Sequence, residues 1–453
     1  MAEIPNAITK ITTAFFEPAL DYIVCKFPRW DLNKFDNVNQ VLGSEMKSVG
    51  EIMAIGRSFA EVIQKSIRML EIGVDGLDPD AHKFDNLEEA IAVPTPKRIF
   101  AIVKGLQDGM TVDKIHDLSK IDKFFLYEIE RAVNVKKEFA KAKLPDLKAE
   151  QMREIKKAGY SDKFIAKIIG EKETNVRKHR QALGIRPYLS QIDTLGAEYP
   201  AETNFLYFTY ANIKSDITPS NKKKVIVLGS GCYRIGASVE FDWCAVSCVK
   251  AAQDLGYEAI MLNYNPETVS TDYDNCEQLV FDEINLENVI ELYEFEKPEG
   301  VIVSMGGQTP NNLALKLHNE GVKIIGTSPE SIDQAEDRNK FSSHLDHIKI
   351  DQPKWTEASS SKNVLETVNK IGGFPVLVRP SYVLSGAAMR IADNKEELSA
   401  FLEKATDISP EHPVTISKFE SHSLEIEFDG VALNGEVKLF AISEHIENAG
   451  VHS

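Results

Sequence analysis

Residues 225–243 read VIVLGSGCYRIGASVEFDW, and the organisation of the chain turns on that stretch. A β-branched apolar run enters Gly229-Ser230-Gly231, and Gly236 follows five residues later. A strand delivered into closely spaced glycines lets the backbone turn sharply and approach a ligand, and a following helix N-terminus favours an anion. A dinucleotide fold asks for GxGxxG and then an acid closing the second strand, where it holds the ribose. Here the spacing is GxGxxxxG, and the next apolar run, AIMLNYNPETVSTDYD, meets Asn263 and Asn265 before any acid. The spacing argues against a dinucleotide fold. A turn beside a ligand, or a glycine turn that only packs a helix on a strand, both remain.

Outward from this stretch, VIVLGSG, EAIMLNYN, QLVFDE, GVIVSMGG and VKIIGTS are short apolar runs separated by helical patterns. Continuous rather than alternating apolar strands predict a parallel sheet covered on both faces. Beyond about Asp333 the texture becomes α+β, with strands FPVLVRPS, VTISKF, LEIEFDGVAL and EVKLFAISEH and a helix near KEELSAFLEKA. Residues 75–220 are dominated by short helices: Thr111, Ser119 and Asp122 mark starts. Three more, KAEQMREIKKAG, SDKFIAKIIG and KETNVRKHRQALG, each close at glycine, with Ser161 capping the second. Residues 212–224 form a polar linker. Residues 1–74 carry a helical rhythm at Phe59, Val62, Ile63, Ile67 and Leu70, with no strand expected to seed a sheet there.

At 453 residues the chain is long enough for roughly two to four domains. No apolar run approaches the roughly 18–20 residues needed to span a bilayer, and no targeting pattern is visible at the N-terminus. Five cysteines without a CxxC pair predict reduced thiols and a cytoplasmic setting. A net charge of −17 disfavours nucleic acid and anionic membranes as partners. The basic stretch 143–186, with 12 Lys/Arg against 6 Asp/Glu, is the one segment that resembles a helical DNA reader, and its charges are spread around the helices.

Polar loops at strand ends suggest where ligands go. NPETVSTD and MGGQ both follow apolar runs, on the edge where an open α/β sheet places its crevice. Arg379 emerges from the buried run PVLV into the turn PSYVLSG, an arrangement able to grip phosphate bidentately. Arg338, in AEDRNKF, is a second candidate. Glu425, Glu427 and Asp429 alternate, so they share one strand face, where they either bind hydroxyls or Mg²⁺ or simply meet solvent.

GSGCYRIGASVEFDW, NYNPETVSTDYD, SMGGQTPNNLAL, IIGTSPESIDQAEDR, VRPSYVLSGAAM and SEHIENAGVHS closely resemble the second half of carbamoyl-phosphate synthetase large chains. FFEPALDYIVCKFPRWDLNKF and SEMKSVGEIMAIGRSF resemble the end of their first half. EFDWCAV and the LSG turn look more like the eukaryotic type, including the multifunctional pyrimidine-pathway proteins. The match runs nearly end to end.

The resemblance implies a multidomain α/β and α chain. Residues 1–74 would close a first ATP-grasp unit, 75–220 form a helical oligomerisation domain, 221–333 a parallel-sheet pre-ATP-grasp domain, and 334–453 a partial α+β ATP-grasp domain. It implies ATP with Mg²⁺ or Mn²⁺, a glutamine amidotransferase partner, a homo-oligomer through 75–220, and bicarbonate, ammonia and carbamate as substrates, in pyrimidine or arginine synthesis. By position in the matching strings, Arg338 and Arg379 are the catalytic, phosphate-contacting arginines. Ser385 and Gly386 form the turn over the phosphates. Lys418, Phe419 and Glu420 line the adenine, and Glu425 holds the ribose. Gly450, Val451, His452 and Ser453 form another nucleotide-contacting run. The family's metal-bridging glutamine and glutamate fall downstream of GVHS, so no metal ligand is assigned. The rival of another class is a non-catalytic oligomerising scaffold with a degenerate nucleotide fold. As an internal fragment the chain is expected to be inactive or nearly so by itself; bicarbonate-dependent carbamoyl-phosphate synthesis by the purified 453-residue chain would contradict that.

Overall fold

The computed structural model describes residues 3–6, 12–15, 17, 19–35, 37–196, 203–237, 239–358, 364–379, 389–408, 414–421 and 423–447, with the backbone alone at 364, 365, 367 and 403–408. The chain divides into two compact units, Met1–Thr327 and Ser328–Ser453.

The first unit begins with β1 (Ile23–Arg29) and β2 (Gly50–Gly56), antiparallel from Ile23↔Gly56 to Arg29↔Gly50. This corrects the expectation that residues 1–74 hold no strand. Cys25 and Phe27 alternate onto the helical core, and Ile52 and Ala54 are buried. That period-2 signal is short and bounded by Pro28, Gly50 and Gly56, residues that argue against a strand when seen locally. Helix α1 (Phe59–Met69) follows, with the Ser58 hydroxyl accepting from the Glu61 amide at 3.2 Å.

Four helices, α2 (Leu87–Ala92), α3 (Arg98–Gln107), α4 (Val112–Ser119) and α5 (Lys123–Phe139), pack with α1 around Ile67, Phe100, Val103, Ile115 and Leu126. Thr111 and Asp122 cap α4 and α5 as expected. Ser119 does not start a helix. It closes α4, and its hydroxyl accepts from the Ile121 amide at 3.1 Å across Lys120, whose φ of 60° breaks the helix. Helices α6 (Ala149–Lys157), α7 (Asp162–Ile169) and α8 (Glu173–Ala182) build a second core around Tyr160, Phe164 and Val176.

Two further strands, β3 (Tyr188–Gln191) and β4 (Phe205–Thr209), lie in the stretch expected to be helical. They extend a sheet completed by β5 (Lys224–Leu228), β6 (Glu258–Asn263), β7 (Gln278–Phe281), β8 (Val301–Ile302) and β9 (Ile324–Ile325). Its order is β3-β4-β7-β6-β5-β8-β9, with β3 antiparallel at one edge and the other pairings parallel. Every residue of β5 is buried, as continuous apolar strands require. Helices α9 (Val239–Asp254), α10 (Leu286–Glu296), α11 (Gln308–Asn311) and α12 (Ala314–Asn319) join the strands.

The helices and this sheet meet through buried charges in which every cation has at least one carboxylate. Arg180, fully buried, donates to Asp162 at 2.8–3.0 Å and to Glu291 at 2.9 Å. Lys156 reaches Asp162 at 3.0 Å and Glu287 at 2.8 Å. Lys65 bonds Asp282 at 2.9 Å, and Arg68 grips Glu283 at 2.6 and 2.9 Å. Burial alone would raise the Glu287 carboxyl, but Lys156 and Arg180 outweigh it and hold it well below the usual range. The basic stretch 143–186 thus spends Lys156, Arg177, Arg180 and Arg186 on internal carboxylates rather than on an outward basic face.

The second unit opens with α13 (Pro329–Glu336) and α14 (Arg338–His347). A four-stranded antiparallel sheet of β10 (Trp355–Ala358), β11 (Val376–Arg379), β12 (Arg390–Ala392) and β13 (Val414–Lys418) has the order β10-β13-β11-β12. Helices α15 (Val364–Lys370) and α16 (Lys395–Ile408) supply Val368, Leu398 and Leu402 to a core with Val376, Val378 and Ile416. A separate hairpin, β14 (Ile426–Leu433) with β15 (Glu436–Glu444), is exposed along its whole length.

Candidate functional site

Two polar loops at strand ends compete with the arginines for the role of anion site. The 225–243 loop fills its own backbone groups. The Gly231 amide donates to the Asn263 side chain at 3.0 Å, and the Gly231 carbonyl accepts from Asn265 at the same distance. A Cβ at Gly229 would stand 2.5 Å from Asn263, and one at Gly306 would stand 2.2 Å from the Gly229 carbonyl oxygen. These glycines exist so that two loops can interlock at the carboxyl edge of the sheet. Arg234 completes the lock with Glu71, which also accepts from Thr309 at 2.9 Å. NPETVSTD is satisfied likewise: Asp242 on α9 takes the Val269 and Ser270 amides at 2.7 and 3.2 Å.

In the second unit the accounting is different. Arg338 is the first residue of α14, a position fixed by Asp337, whose carboxylate accepts from the Asn339 and Lys340 amides at 3.0 and 3.1 Å. Arg379 is the last residue of β11, carried out of the core by buried Val376 and Val378. The two guanidiniums feel each other. Burial, and then the charge of Arg338, lower Arg379 to about 10. Burial also lowers Arg338, with Glu336 opposing it. The Nε of Arg379 is buried and has no hydrogen-bond partner among the described residues. Half-buried donors of one sign, with one buried donor nitrogen unsatisfied, fit an anion with several oxygens.

The remaining candidates separate. Lys418 ends β13 opposite Val376, at the start of β11, while Arg379 pairs with Thr415 at its end. The three-residue offset is roughly 10 Å along the strand. The Lys418 ammonium donates to the Gly373 and Phe374 carbonyls at 3.2 and 2.9 Å, and the Phe419 amide donates to the Pro375 carbonyl at 3.2 Å. So Lys418 clamps the backbone beside the site through its ammonium, a role nothing in the sequence pattern announces. Glu420 is exposed. Glu425 lies just before β14; its carboxylate stands 3.8 Å from the His445 imidazole, and its carbonyl accepts from the His445 amide at 3.1 Å. Glu427, facing the same way, bonds His445 at 3.2 Å, which raises the imidazole pKa. None of these interactions connects the hairpin to the arginines. Ser385, Gly386, Gly450, Val451, His452 and Ser453 lie outside the described residues.

Among the described residues no helix is long and apolar enough to cross a membrane, and all five cysteines are free.

Three family models match this chain. They are the carbamoyl-phosphate synthetase large chain oligomerisation domain at residues 51–184, the carbamoyl phosphate synthase preATP-grasp domain at 221–334, and the carbamoyl-phosphate synthase L chain ATP binding domain at 337–437. Both site arginines fall in the third. The chain is 50% identical over 455 residues to the mitochondrial carbamoyl phosphate synthase arginine-specific large chain of Schizosaccharomyces pombe, covering all of this chain and 39% of that one. It is 51% identical to the corresponding protein of Neurospora crassa, again covering 39% of it. It is 50% identical to multifunctional protein pyr1-3 of Dictyostelium discoideum, covering 20% of it. The chain thus spans about two fifths or less of these relatives.

The contrast between matched and unmatched buried charge predicts stability changes of opposite sign. Arg180→Met removes the buried cation that Asp162 and Glu291 share, leaving them to Lys156 and to the half-exposed Arg186, and is expected to cost about 3 kcal/mol. Arg379→Met is expected to raise the unfolding midpoint by a few degrees, on the order of 1 kcal/mol. The sign follows from the pKa: the folded value of about 10 lies below the unfolded one, so protonation opposes folding, and the penalty is fully present below about pH 10. Thermal unfolding at pH 7.5 checks both; destabilisation by Arg379→Met would contradict the assignment.

Proposed function

This chain belongs to the carbamoyl-phosphate synthetase large-chain family, and we propose that it serves ATP-dependent synthesis of carbamoyl phosphate from bicarbonate and ammonia or glutamine. Its part is chiefly the half that phosphorylates carbamate. The observation that carries this reading is the like-charged pair Arg338 and Arg379 inside the segment matched as an ATP binding domain. On a chain of net charge −17, a polyanionic nucleotide needs a local concentration of positive charge, and this pair supplies one.

In this reading the two guanidiniums hold the nucleotide phosphates and face the charge that builds up during transfer. The segment Lys418–Phe419–Glu420 sits beside the base, at the far end of β11, and Glu425 takes the ribose. Ser385, Gly386 and Gly450–Ser453 complete the enclosure. Mg²⁺ or Mn²⁺, bound with the nucleotide, supplies neutralisation of phosphate charge. Residues 1–74 close a first ATP-grasp unit, 75–220 mediate homo-oligomerisation, 221–333 form the pre-ATP-grasp domain, and 334–453 belong to the ATP-grasp domain. The partners are a glutamine amidotransferase and the substrates bicarbonate, ammonia and carbamate, in a cytoplasmic setting and in arginine or pyrimidine synthesis.

Calorimetric titration with MgATP tests the reading. Arg338→Met and Arg379→Met are each expected to weaken binding by roughly 10- to 100-fold, the range of a lost charge-assisted hydrogen bond. Wild-type affinity in both variants would refute the phosphate role. Failure of the wild-type chain to bind MgATP, with self-association intact, would favour the scaffold reading.

A further inference from the structure

We propose that Asn339 and Thr415 form a strut that sets the spacing and aim of Arg338 and Arg379, which makes both of them positioning residues for phosphate recognition; the proposal rests on the phosphate reading of the arginine pair. Asn339 follows Arg338 in α14. Thr415 is the cross-strand partner of Arg379. Directly opposed residues of an antiparallel pair project from the same face of the sheet, so Thr415 and Arg379 share a face. Asn339 reaches that face from the helix: the Thr415 hydroxyl donates to its side-chain oxygen at 2.8 Å. Thr415 is 0% exposed and Asn339 8% exposed, so solvent does not replace the bond if it is lost.

The residue choice is informative. Thr415 lies between buried Val414 and Ile416, in a strand where valine would pack equally well and leave no buried hydroxyl to satisfy. The hydroxyl's one recorded bond goes to the neighbour of Arg338, which joins the N-terminus of α14 to the strand pair that carries Arg379. The charge of Arg338 lowers the proton affinity of Arg379, and like charges so placed tend to part. A short hydrogen bond between the elements that carry them opposes that tendency. Asp337 completes the arrangement by fixing the Asn339 backbone from the other side.

The test compares MgATP and adenosine binding to the full 453-residue chain carrying Thr415→Val, Thr415→Ser, Asn339→Ala, or Thr415→Val with Asn339→Ala, alongside Arg379→Met. Thr415→Val is expected to weaken MgATP roughly tenfold while adenosine, which lacks phosphates, is unaffected. Thr415→Ser, which keeps the hydroxyl, should stay within about twofold of wild type. The double variant should lose no more than the worse single one, because both remove the same bond. Unchanged MgATP affinity in Thr415→Val overturns the strut, as does an equal loss for MgATP and adenosine. So does a lowered unfolding midpoint with the MgATP-to-adenosine ratio preserved, which marks a purely structural bond. If Arg379→Met also leaves MgATP affinity unchanged, the phosphate reading itself fails and takes the strut with it.

Discussion

Desolvated charge has to be answered, and the two units of this chain answer it differently. In the first, Lys65, Arg68, Lys156 and Arg180 are sunk among Asp162, Asp282, Glu283, Glu287 and Glu291, and each cation has its carboxylate. Removing one partner of such a set is costly because the other is left buried and alone. That mutual dependence fastens the helices α1, α6 and α8 to the sheet. In the second unit the charge of Arg338 lowers the proton affinity of Arg379, and in the proposed function an anion supplies part of the answering charge. One rule thus gives a fixed scaffold in one place and, in the proposed function, a binding site in the other.

The means of holding the arginines are ordinary secondary structure. A helix cap fixes Arg338, a strand end fixes Arg379, and antiparallel register places Thr415 and Lys418 at measured intervals along β13. Lys418 joins the backbone at 373–374 while Arg379 occupies the other end of β11. In the proposed function the nucleotide would run along β11, with its two ends served by different residues of one sheet.

Much of this was legible in the sequence wherever the signal was local. The buried parallel strands showed as unbroken apolar runs, and Thr111, Asp122, Ser161 and the glycines closing α6–α8 marked helix ends correctly. The strands β1 to β4 were missed because each is short and bounded by residues that read as turns, and their stability comes from partners far along the chain. Ser119 does not start a helix because its hydroxyl serves the turn after α4, accepting from the Ile121 amide, and nothing local in the sequence separates that use from an N-cap. Arg338 and Arg379 could be named from their motifs, but the lowering of Arg379 by the charge of Arg338 comes from tertiary approach. The same holds for the Asn339–Thr415 bond, for the Lys418 clamp, and for the way Asn263 fills the glycine loop at 229–231.

The central claim is that the phosphate work belongs to the two arginines and not to the glycine loop that first suggested it. A crystal structure of the chain with MgADP tests this most directly. The account predicts phosphate oxygens about 2.7–2.9 Å from the Arg338 and Arg379 guanidiniums, the usual length of a charge-assisted hydrogen bond. Phosphates seated instead on the backbone of residues 229–236, with both arginines turned away, would contradict it.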